Sequence, residues 1–218
     1  MKIILDFDDT IFNTYKLIHN VCAIFSSLGF QERQFWDVYV GCKEKAGDFN
    51  PEIIINLLNE IKPFDKIKAA QEINLILDNS EDFIYPDFFS FAKSYNKKDL
   101  ILLSFATTAT QKIKINNSKI TEFFENIIIT SGDKAEDINP IFEKCEGEKI
   151  FFIDDKTSQI DNIKNKFPEI ITMKMKRPQG VDIMTESKLA DYTVKNLNEA
   201  KDIVSNVKTC LFGASNER

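Results

Sequence analysis

The stretch from Met1 to Thr10, MKIILDFDDT, contains the first clear structural signal of the chain. Its apolar run Ile3-Ile4-Leu5 predicts a short buried strand. Asp6, Asp8 and Thr10 follow at alternating positions, and an extended chain directs alternate side chains to one side. Two carboxylates held close together repel unless a proton or a cation neutralises them, and hard oxygen ligands favour Mg²⁺. The alternative is an N-terminal strand that ends in an acidic, solvated turn.

Length and composition are typical of a globular protein. The chain has 218 residues, 43% of them hydrophobic and 28% charged, enough for one large domain or a core with a smaller insert. The net charge of −6 argues against a nucleic-acid polymer as the partner. The 4 cysteines are widely spaced, so free thiols in a reducing cytoplasm are expected. Asp6 breaks the apolar start and no run approaches the ~18 apolar residues of a membrane span, so neither a signal peptide nor a membrane partner is expected.

Residues 15–84 have a helical pattern. Apolar positions recur at helical spacing in four segments, and no convincing strand interrupts them. Gly29 predicts the end of the first helix. Asn50 and Pro51 predict the N-cap and first residue of the third helix. This region is therefore predicted to be an all-α insert.

From Asp87 onward, short apolar runs alternate with helical segments. Strands are expected near residues 100–104, 127–130, 149–153, 170–173 and 192–194, and one of the intervening helices near 137–145. Continuous apolar strands alternating with helices predict an α/β fold whose parallel sheet is covered on both faces. Residues 212–218 are expected to be a frayed tail.

Polar side chains follow several of these strands, at the edge of the sheet where ligands of open α/β folds bind. Ser104 ends the second apolar run, and its hydroxyl with the following backbone N–H groups would form a phosphate cradle. Simple N-capping by Ser104 or Thr107 is the alternative. Lys134 follows the third run and would supply a cation. A solvated surface position for Lys134 is the alternative, with Lys112 and Lys114 as competing cations.

Two adjacent acids, Asp154 and Asp155, end the strand expected at residues 149–153. They would supply further carboxylates to a metal ion, and the alternative is N-capping of the next helix. Four features of the sequence resemble, in their order and spacing, the four motifs of the haloacid dehalogenase-like (HAD) superfamily, which consists mostly of phosphohydrolases. They are the acids after the first strand, Ser104, Lys134 and the Asp154–Asp155 pair. Gln159 departs from the pattern, because relatives with the Asp-Asp form usually carry Asn at that position.

The resemblance implies both a fold and a set of roles. The fold would be a Rossmann-like parallel-sheet core, residues 1–14 and 85–218, with an inserted all-α cap, residues 15–84. Asp6 would be the nucleophile that forms an aspartyl-phosphate, and Asp8 the general acid and base. The metal ligands would be Asp6, the backbone carbonyl of Asp8, Asp154 and Asp155. The phosphoryl-binding residues would be Asp9, Thr10, Ser104, Phe105 and Lys134.

The acid at position 8 narrows the activity that the resemblance implies. Dehalogenases of the superfamily lack that acid, and phosphate-transferring pumps carry Thr there, so a phosphatase or a phosphomutase is favoured. The leading hypothesis is a Mg²⁺-dependent phosphohydrolase that acts on a small phosphorylated metabolite. A phosphomutase and a HAD-fold binding or regulatory protein without turnover are the alternatives. A cap lysine such as Lys43 or Lys45 would meet an acidic substrate.

Overall fold

The computed structural model describes residues 1–145, 147–180 and 182–213, with the backbone alone for residues 208–213. Within these residues, one six-stranded sheet has the order β3-β2-β1-β4-β5-β6, and every neighbouring pair is parallel. The strands are β1 (Lys2–Leu5), β2 (Leu100–Phe105), β3 (Asn126–Thr130), β4 (Ile150–Asp154), β5 (Ile171–Met175) and β6 (Tyr192–Val194). The predicted parallel sheet is confirmed.

Both faces of the sheet are covered, because successive side chains of each buried strand alternate between two apolar clusters. In β1, Ile3 and Leu5 belong to the larger cluster, which also holds residues of the helices before β2 and of the last helix. Ile4 belongs to the second cluster with Ile138 and Ile160, which come from the two helices that flank β4. This arrangement explains why the strands have apolar runs rather than alternating polar residues.

Helices fill the segments between the strands. They are α1 (Thr14–Ser27), α2 (Glu32–Ala46), α3 (Pro51–Ile61), α4 (Lys66–Asp78), α5 (Asp87–Ala92), α6 (Thr110–Asn117), α7 (Lys134–Lys144), α8 (Thr157–Lys166) and α9 (Leu197–Gly213). One-turn 3-10 helices lie at Ser80–Phe83, Lys97–Asp99 and Thr121–Phe123. No helix of the described chain is long and apolar enough to cross a membrane.

The four helices predicted between β1 and β2 are present as α1 to α4. In this helical unit α1 packs against α2 and α4, and α3 packs against the same two helices. Asn50 caps α3 as predicted, accepting a hydrogen bond from the Ile53 N–H at 3.2 Å, and Pro51 is its first residue. Gly29 follows the end of α1 with a φ of +85°. That these helices form a separate cap stays a prediction.

Two predicted boundaries differ in part from those of the structure. Helix α7 begins at Lys134, three positions before the predicted start, because the Asp133 carboxylate caps it by accepting from the Ala135 N–H at 2.9 Å. Of the expected frayed tail, residues 212–213 continue α9, and residues 214–218 lie outside the described part of the chain.

The sheet order places the candidate site. From β1 the chain builds outward through β2 and β3 on one side and through β4, β5 and β6 on the other. The strand order therefore changes direction between β1 and β4, and ligands of open α/β sheets bind at the carboxyl side of such a switch point. The segments that follow β1, β2 and β4 meet there.

Candidate active site

Three carboxylates meet where β1 and β4 end. Leu5 pairs with Ile153 in register, and the Asp6 N–H donates to the Ile153 carbonyl at 2.9 Å. The parallel pairing thereby brings Asp6 beside Asp154 and Asp155. One oxygen from each of the three carboxylates lies within 4.8 Å of the others, and all three residues are buried.

Lys134 supplies the nearest positive charge to this acidic cluster. Its Nζ donates to Asp6 Oδ1 at 2.5 Å and to Asp154 Oδ2 at 2.7 Å, and the residue is only 1% exposed. Burial alone would lower the pKa of Lys134, but the two carboxylates outweigh it and raise that pKa. The alternative of a solvated Lys134 is therefore wrong, since α7 begins at this residue and directs its side chain into the site.

One ammonium does not balance three buried carboxylates. Burial raises the pKa of Asp6 to about 7, with Asp154 and Asp8 adding to the rise and Lys134 opposing it. Burial also raises the pKa of Asp155 well above its usual range, and the charges of Asp6 and Asp154 add to the effect. This charge imbalance and the all-oxygen donor set fit a hard divalent cation.

Asp8 lies beside the acidic cluster but has a different set of partners. Its Oδ1 accepts from Thr14 Oγ1 and from Lys114 Nζ, each at 2.6 Å, and its Oδ2 accepts from Gln111 Nε2 at 2.7 Å. Burial raises the pKa of Asp8, but Lys114 and the hydrogen bonds outweigh burial and hold that pKa below its usual range. The carboxylate of Asp8 is therefore separate from the three acids that could hold a metal; the predicted contact through its backbone carbonyl stays a prediction.

Ser104 is connected to Asp8 through Gln111. The Ser104 hydroxyl is buried near the end of β2 and accepts from Gln111 Nε2 at 2.7 Å. Helix α6 has Ala109 as its N-cap, without a capping side chain, so the interpretation of Ser104 or Thr107 as its N-cap is wrong. Phe105 lies next in β2 and lines the adjoining cavity.

The loop after β1 holds the remaining predicted residues. Asp9 has a φ of +52°, and its backbone N–H donates to the Phe12 carbonyl at 2.8 Å, so that N–H is already engaged. The Thr10 side chain is fully buried, and its hydroxyl has no hydrogen-bond partner among the described residues. Arg177 holds the loop, because its Nη2 donates to the Thr10 carbonyl at 2.8 Å while its guanidinium pairs with Asp87.

The segment after β4 is fixed by a later loop. Lys174 is fully buried and donates to the backbone carbonyl of Asp155 and to Asp182 Oδ2, the latter at 2.9 Å. Asp182 Oδ2 also accepts from the Thr157 N–H at 2.6 Å, in the first turn of α8. The N-cap of α8 is Lys156, without a capping side chain, so neither Asp154 nor Asp155 caps that helix.

A cavity of about 510 Å³ adjoins these residues. Its walls come from the loop after β1, from α1, α2 and the loop after α2, and from β2 and the segments after β2, β4 and β5. The lining residues are Asp6, Asp8, Asp9, Thr14, Tyr39, Lys43, Gly47, Asp48, Phe49, Phe105, Lys114, Asp155, Lys156, Thr157, Ser158, Asp182 and Thr185. The helical unit and the sheet thus contribute side chains to one space, and Lys43 lies on its wall.

A polar contact joins the helical unit to the loop after β2. Asp48 Oδ2 accepts from the Thr107 and Thr108 N–H groups, each at 3.2 Å, and from the Thr108 hydroxyl at 2.9 Å. Gly47 ends α2 with a φ of +76°, which turns the chain so that Asp48 faces this loop. Asp48, Asp182, Arg177 and Gln111 were not predicted from the sequence. The Gly47-Asp48 pair after a helix was the one available local signal.

Gln159 is the position at which the chain departs from the motif. It lies in the first turn of α8, and its side-chain oxygen is buried without a hydrogen-bond partner among the described residues.

Comparison with known proteins identifies the fold. No protein-family model and no curated protein sequence matches the chain. The structure is similar to a protein described as a haloacid dehalogenase-like hydrolase from Burkholderia xenovorans, with a TM-score of 0.69, 15% identity, and coverage of 92% of this chain and 96% of the other. The HAD hydrolase YfnB from Bacillus subtilis, described as bound to magnesium, matches with a TM-score of 0.62, 16% identity, and coverage of 93% and 97%.

A third similar structure is the L-2-haloacid dehalogenase from Xanthobacter autotrophicus. Its TM-score is 0.62 at 13% identity, with coverage of 94% of this chain and 98% of the other. The likeness extends over nearly the full length of each of the three compared chains. The protein therefore has the HAD-like hydrolase fold.

Proposed function

We propose that the protein is a Mg²⁺-dependent phosphohydrolase that acts on a small phosphomonoester. The observation that carries the proposal is the arrangement of Asp6, Lys134 and the Asp154–Asp155 pair around one point, with Asp8 beside them on the same cavity. A nucleophilic carboxylate, an acid–base carboxylate and a compact oxygen site for a cation are the groups that phosphoryl transfer through an aspartyl-phosphate needs.

Asp6, Asp154 and Asp155 would hold the cation, together with the backbone carbonyl of Asp8. Bound there, Mg²⁺ would neutralise the repulsion between a carboxylate nucleophile and an anionic phosphoryl group. The raised pKa values of Asp6 and Asp155 support this assignment, because they arise from burial and from the neighbouring carboxylates, both of which a bound cation would offset.

In the first half-reaction, an Asp6 oxygen would attack phosphorus while the bond from phosphorus to the ester oxygen breaks. A leaving oxygen that is stable as an anion needs no proton. Any other would take one from Asp8, which would first have to bind that proton, because Lys114 and the hydrogen bonds hold its pKa below its usual range. Lys134 would favour the ionised form of Asp6, whose pKa burial raises to about 7, and would hold it in place through the 2.5 Å contact. The hydroxyls of Thr10 and Ser104 and the backbone of Phe105 are proposed to bind the phosphoryl oxygens. The Asp9 N–H, already bonded to the Phe12 carbonyl, would instead shape the loop that holds Thr10.

In the second half-reaction, a water molecule would attack the aspartyl-phosphate. Asp8 takes the proton of the water, the bond between Asp6 and phosphorus breaks, and inorganic phosphate leaves. We propose that α1 to α4 act as a cap over these steps, since Tyr39 and Lys43 of α2 line the same cavity as Asp6. Lys43 carries a positive charge suited to an acidic substrate.

A haloacid dehalogenase is the second candidate, because L-2-haloacid dehalogenases are among the similar solved structures. Halide is a stable anion, so its departure needs neither a metal ion nor a proton donor. Asp154 and Asp155 would then have no cation to hold, and Asp8 no leaving group to protonate, which favours the phosphohydrolase.

The proposal is tested with an aryl phosphate, whose phenolate leaves without a proton. Wild type and Asp6→Asn are assayed for phosphate release with Mg²⁺ and with EDTA, beside chloride release from L-2-chloropropionate. We expect phosphate release that needs Mg²⁺ and disappears in Asp6→Asn, without chloride release. Chloride release alone would replace the proposal by the second candidate.

A metabolite panel completes the experiment, because a closed cavity can reject an aryl ester. The panel contains sugar phosphates, phosphoglycolate and nucleotides, each with Mg²⁺. If no member yields phosphate, the hydrolase proposal is abandoned; phosphoryl exchange between substrates would then indicate a mutase, and stabilisation by a ligand without product would indicate a binding protein.

For the cellular location we propose the reducing cytoplasm, which is where the free, buried thiols of Cys22, Cys42 and Cys145 are expected.

A further inference from the structure

Helix α6 contributes two polar side chains to the site. Gln111 and Lys114 are one helical turn apart on the same face of α6, and they are 2% and 3% exposed. Both donate to the Asp8 carboxylate, Lys114 to Oδ1 at 2.6 Å and Gln111 to Oδ2 at 2.7 Å. A buried lysine is unusual and is found where its charge has a definite partner.

Lys114 is held from its other side by aromatic rings. Its Nζ lies 5.5 Å from the ring centroid of Phe7 and 5.2 Å from that of Phe12, and the two rings stack on each other at 4.8 Å. Cation–π attraction to the rings and the ion pair with Asp8 act together. The ammonium therefore has one position, and the carboxylate that it contacts is fixed with it.

Gln111 connects the acid–base group to the phosphate-binding hydroxyl. Its Nε2 donates to Asp8 Oδ2 and to Ser104 Oγ, both at 2.7 Å, so the amide uses its two hydrogens on these two groups. Ser104 keeps its own O–H for donation to a phosphoryl oxygen. The spacing between Asp8 and Ser104 is thus set by one side chain.

The hydrogen bonds to Asp8 leave a place for water. A carboxylate offers about four lone-pair positions. Thr14 and Lys114 use those of Oδ1, and Gln111 uses one of Oδ2, so one position on Oδ2 remains. The side chain of Asp8 is 32% exposed and lines the cavity, so a water molecule in the cavity can reach the side chain.

We propose that Lys114 and Gln111 are positioning residues that hold Asp8 as the base of the second half-reaction, with one Oδ2 lone pair directed to the attacking water. The inference rests on the proposed phosphohydrolase function. When the water oxygen bonds to phosphorus, its proton goes to Asp8 Oδ2, the Asp6–phosphorus bond breaks, and its electron pair returns to the Asp6 carboxylate. Neither positioning residue exchanges a proton.

The test separates the two half-reactions by pre-steady-state kinetics with the aryl phosphate. Formation of the aspartyl-phosphate needs no proton donor for a phenolate, whereas its hydrolysis needs the base. In Lys114→Met we expect a burst of about one equivalent of phenol, followed by turnover roughly 10- to 100-fold slower than in wild type. The phosphoenzyme, trapped by acid quench and measured by intact mass, should accumulate in the variant.

Two further variants keep the test independent of a folding defect. Lys114→Arg retains a donor to Asp8 Oδ1 and should regain much of the turnover, and Gln111→Leu should also accumulate phosphoenzyme. Lys112→Met is the matched control, because Lys112 is an exposed lysine on the same helix and should behave as wild type.

The outcomes distinguish the inference from the function on which it rests. If wild type turns over but Lys114→Met loses burst and turnover in equal proportion, or keeps wild-type turnover without a burst, the positioning role is overturned. If wild type itself gives no Mg²⁺-dependent product from any phosphate ester, the proposed function fails, and the inference fails with it.

Discussion

Replacing Lys134 by methionine should destabilise the metal-free protein in a pH-dependent way. The Lys134 ammonium is 1% exposed and joins Asp6 to Asp154 at 2.5 and 2.7 Å. Methionine keeps most of the apolar stem but removes the charge. The acidic cluster then compensates by binding one further proton, because an uncompensated charge in the interior costs more than protonation.

The free energy needed to keep that proton bound sets the size of the loss in stability. A carboxyl group with an ordinary pKa of 3.8 costs about 1.36 kcal/mol for each pH unit above that value at which it is kept protonated. We therefore expect a loss of about 4 kcal/mol in the free energy of unfolding at pH 7, and of about 2 kcal/mol at pH 5. The first figure agrees with the ~3–5 kcal/mol typical of a broken buried ion pair. It corresponds to roughly 8–16 °C in Tm.

Proton uptake decides whether the stability of the variant rises or falls with pH. Between pH 4 and 7 the folded variant binds more protons than its unfolded chain, so its stability falls as the pH rises. Lys134 itself has a raised pKa in the folded protein, so its stabilising effect in wild type is fully present across this range. The difference between the two proteins must therefore widen from pH 5 to pH 7.

Urea unfolding of both proteins in EDTA, at pH 5, 6 and 7, measures the effect. Lys144→Met is the control, because Lys144 is an exposed residue in the last turn of the same helix; it should cost less than about 1 kcal/mol at every pH. A Lys134→Met loss below about 1 kcal/mol at pH 7, or a loss independent of pH, would refute the electrostatic account of the cluster.

Three other predictions concern the proposed metal site and the residues that support the loops around it. Mg²⁺ affinity should fall as the pH drops below about 7, by up to about tenfold per pH unit for each proton that the metal displaces. The reason is that burial raises the pKa of Asp6 to about 7 and also raises that of Asp155. Calorimetric titrations at pH 6 and 8 that gave equal Kd values would contradict this prediction. Gly47→Ala should cost about 1–2 kcal/mol in urea unfolding, because a residue with a Cβ is strained at φ +76°, while the Cβ itself would meet Thr107 Cγ2 at an ordinary contact distance of 3.4 Å. An unchanged stability would count against that strain. Arg177→Lys should lower the free energy of unfolding by about 2–3 kcal/mol, since lysine cannot reproduce the paired contacts to Asp87 or the stacking on Tyr85 at 3.9 Å. Arg33→Lys, at an exposed ion pair, is the control and should change the stability little.

The sheet and the acidic cluster were accessible from local sequence. Apolar runs predicted the strands because a strand of a doubly covered parallel sheet buries both faces, so no polar residue interrupts it. Asp6 and the Asp154–Asp155 pair stand directly after such runs. Since β1 and β4 are neighbours in register, placing the acids at the strand ends was nearly sufficient to place them together.

Other features depend on partners far apart in the chain. Lys114 and Asp8 are 106 positions apart, and Arg177 is 167 positions from the Thr10 carbonyl that it holds. From the sequence, Lys114 was placed below Lys134 as the candidate for the site's positive charge. Helix α6 is polar, and its sequence gives little indication of which face is buried. The fold turns Gln111 and Lys114 toward the site, since α6 follows β2 beside the loop after β1.

The two lysines show the physical division most clearly. Lys134 is placed by its own neighbourhood, because the end of β3 and the Asp133 cap start α7 at that residue and leave its side chain one direction to take. The position of Lys114 depends on the orientation of α6 about its axis relative to the Phe7–Phe12 pair. That orientation is set by packing between segments far apart in the chain. Local sequence therefore determines where charges enter the site, and tertiary packing determines which of them act on each carboxylate.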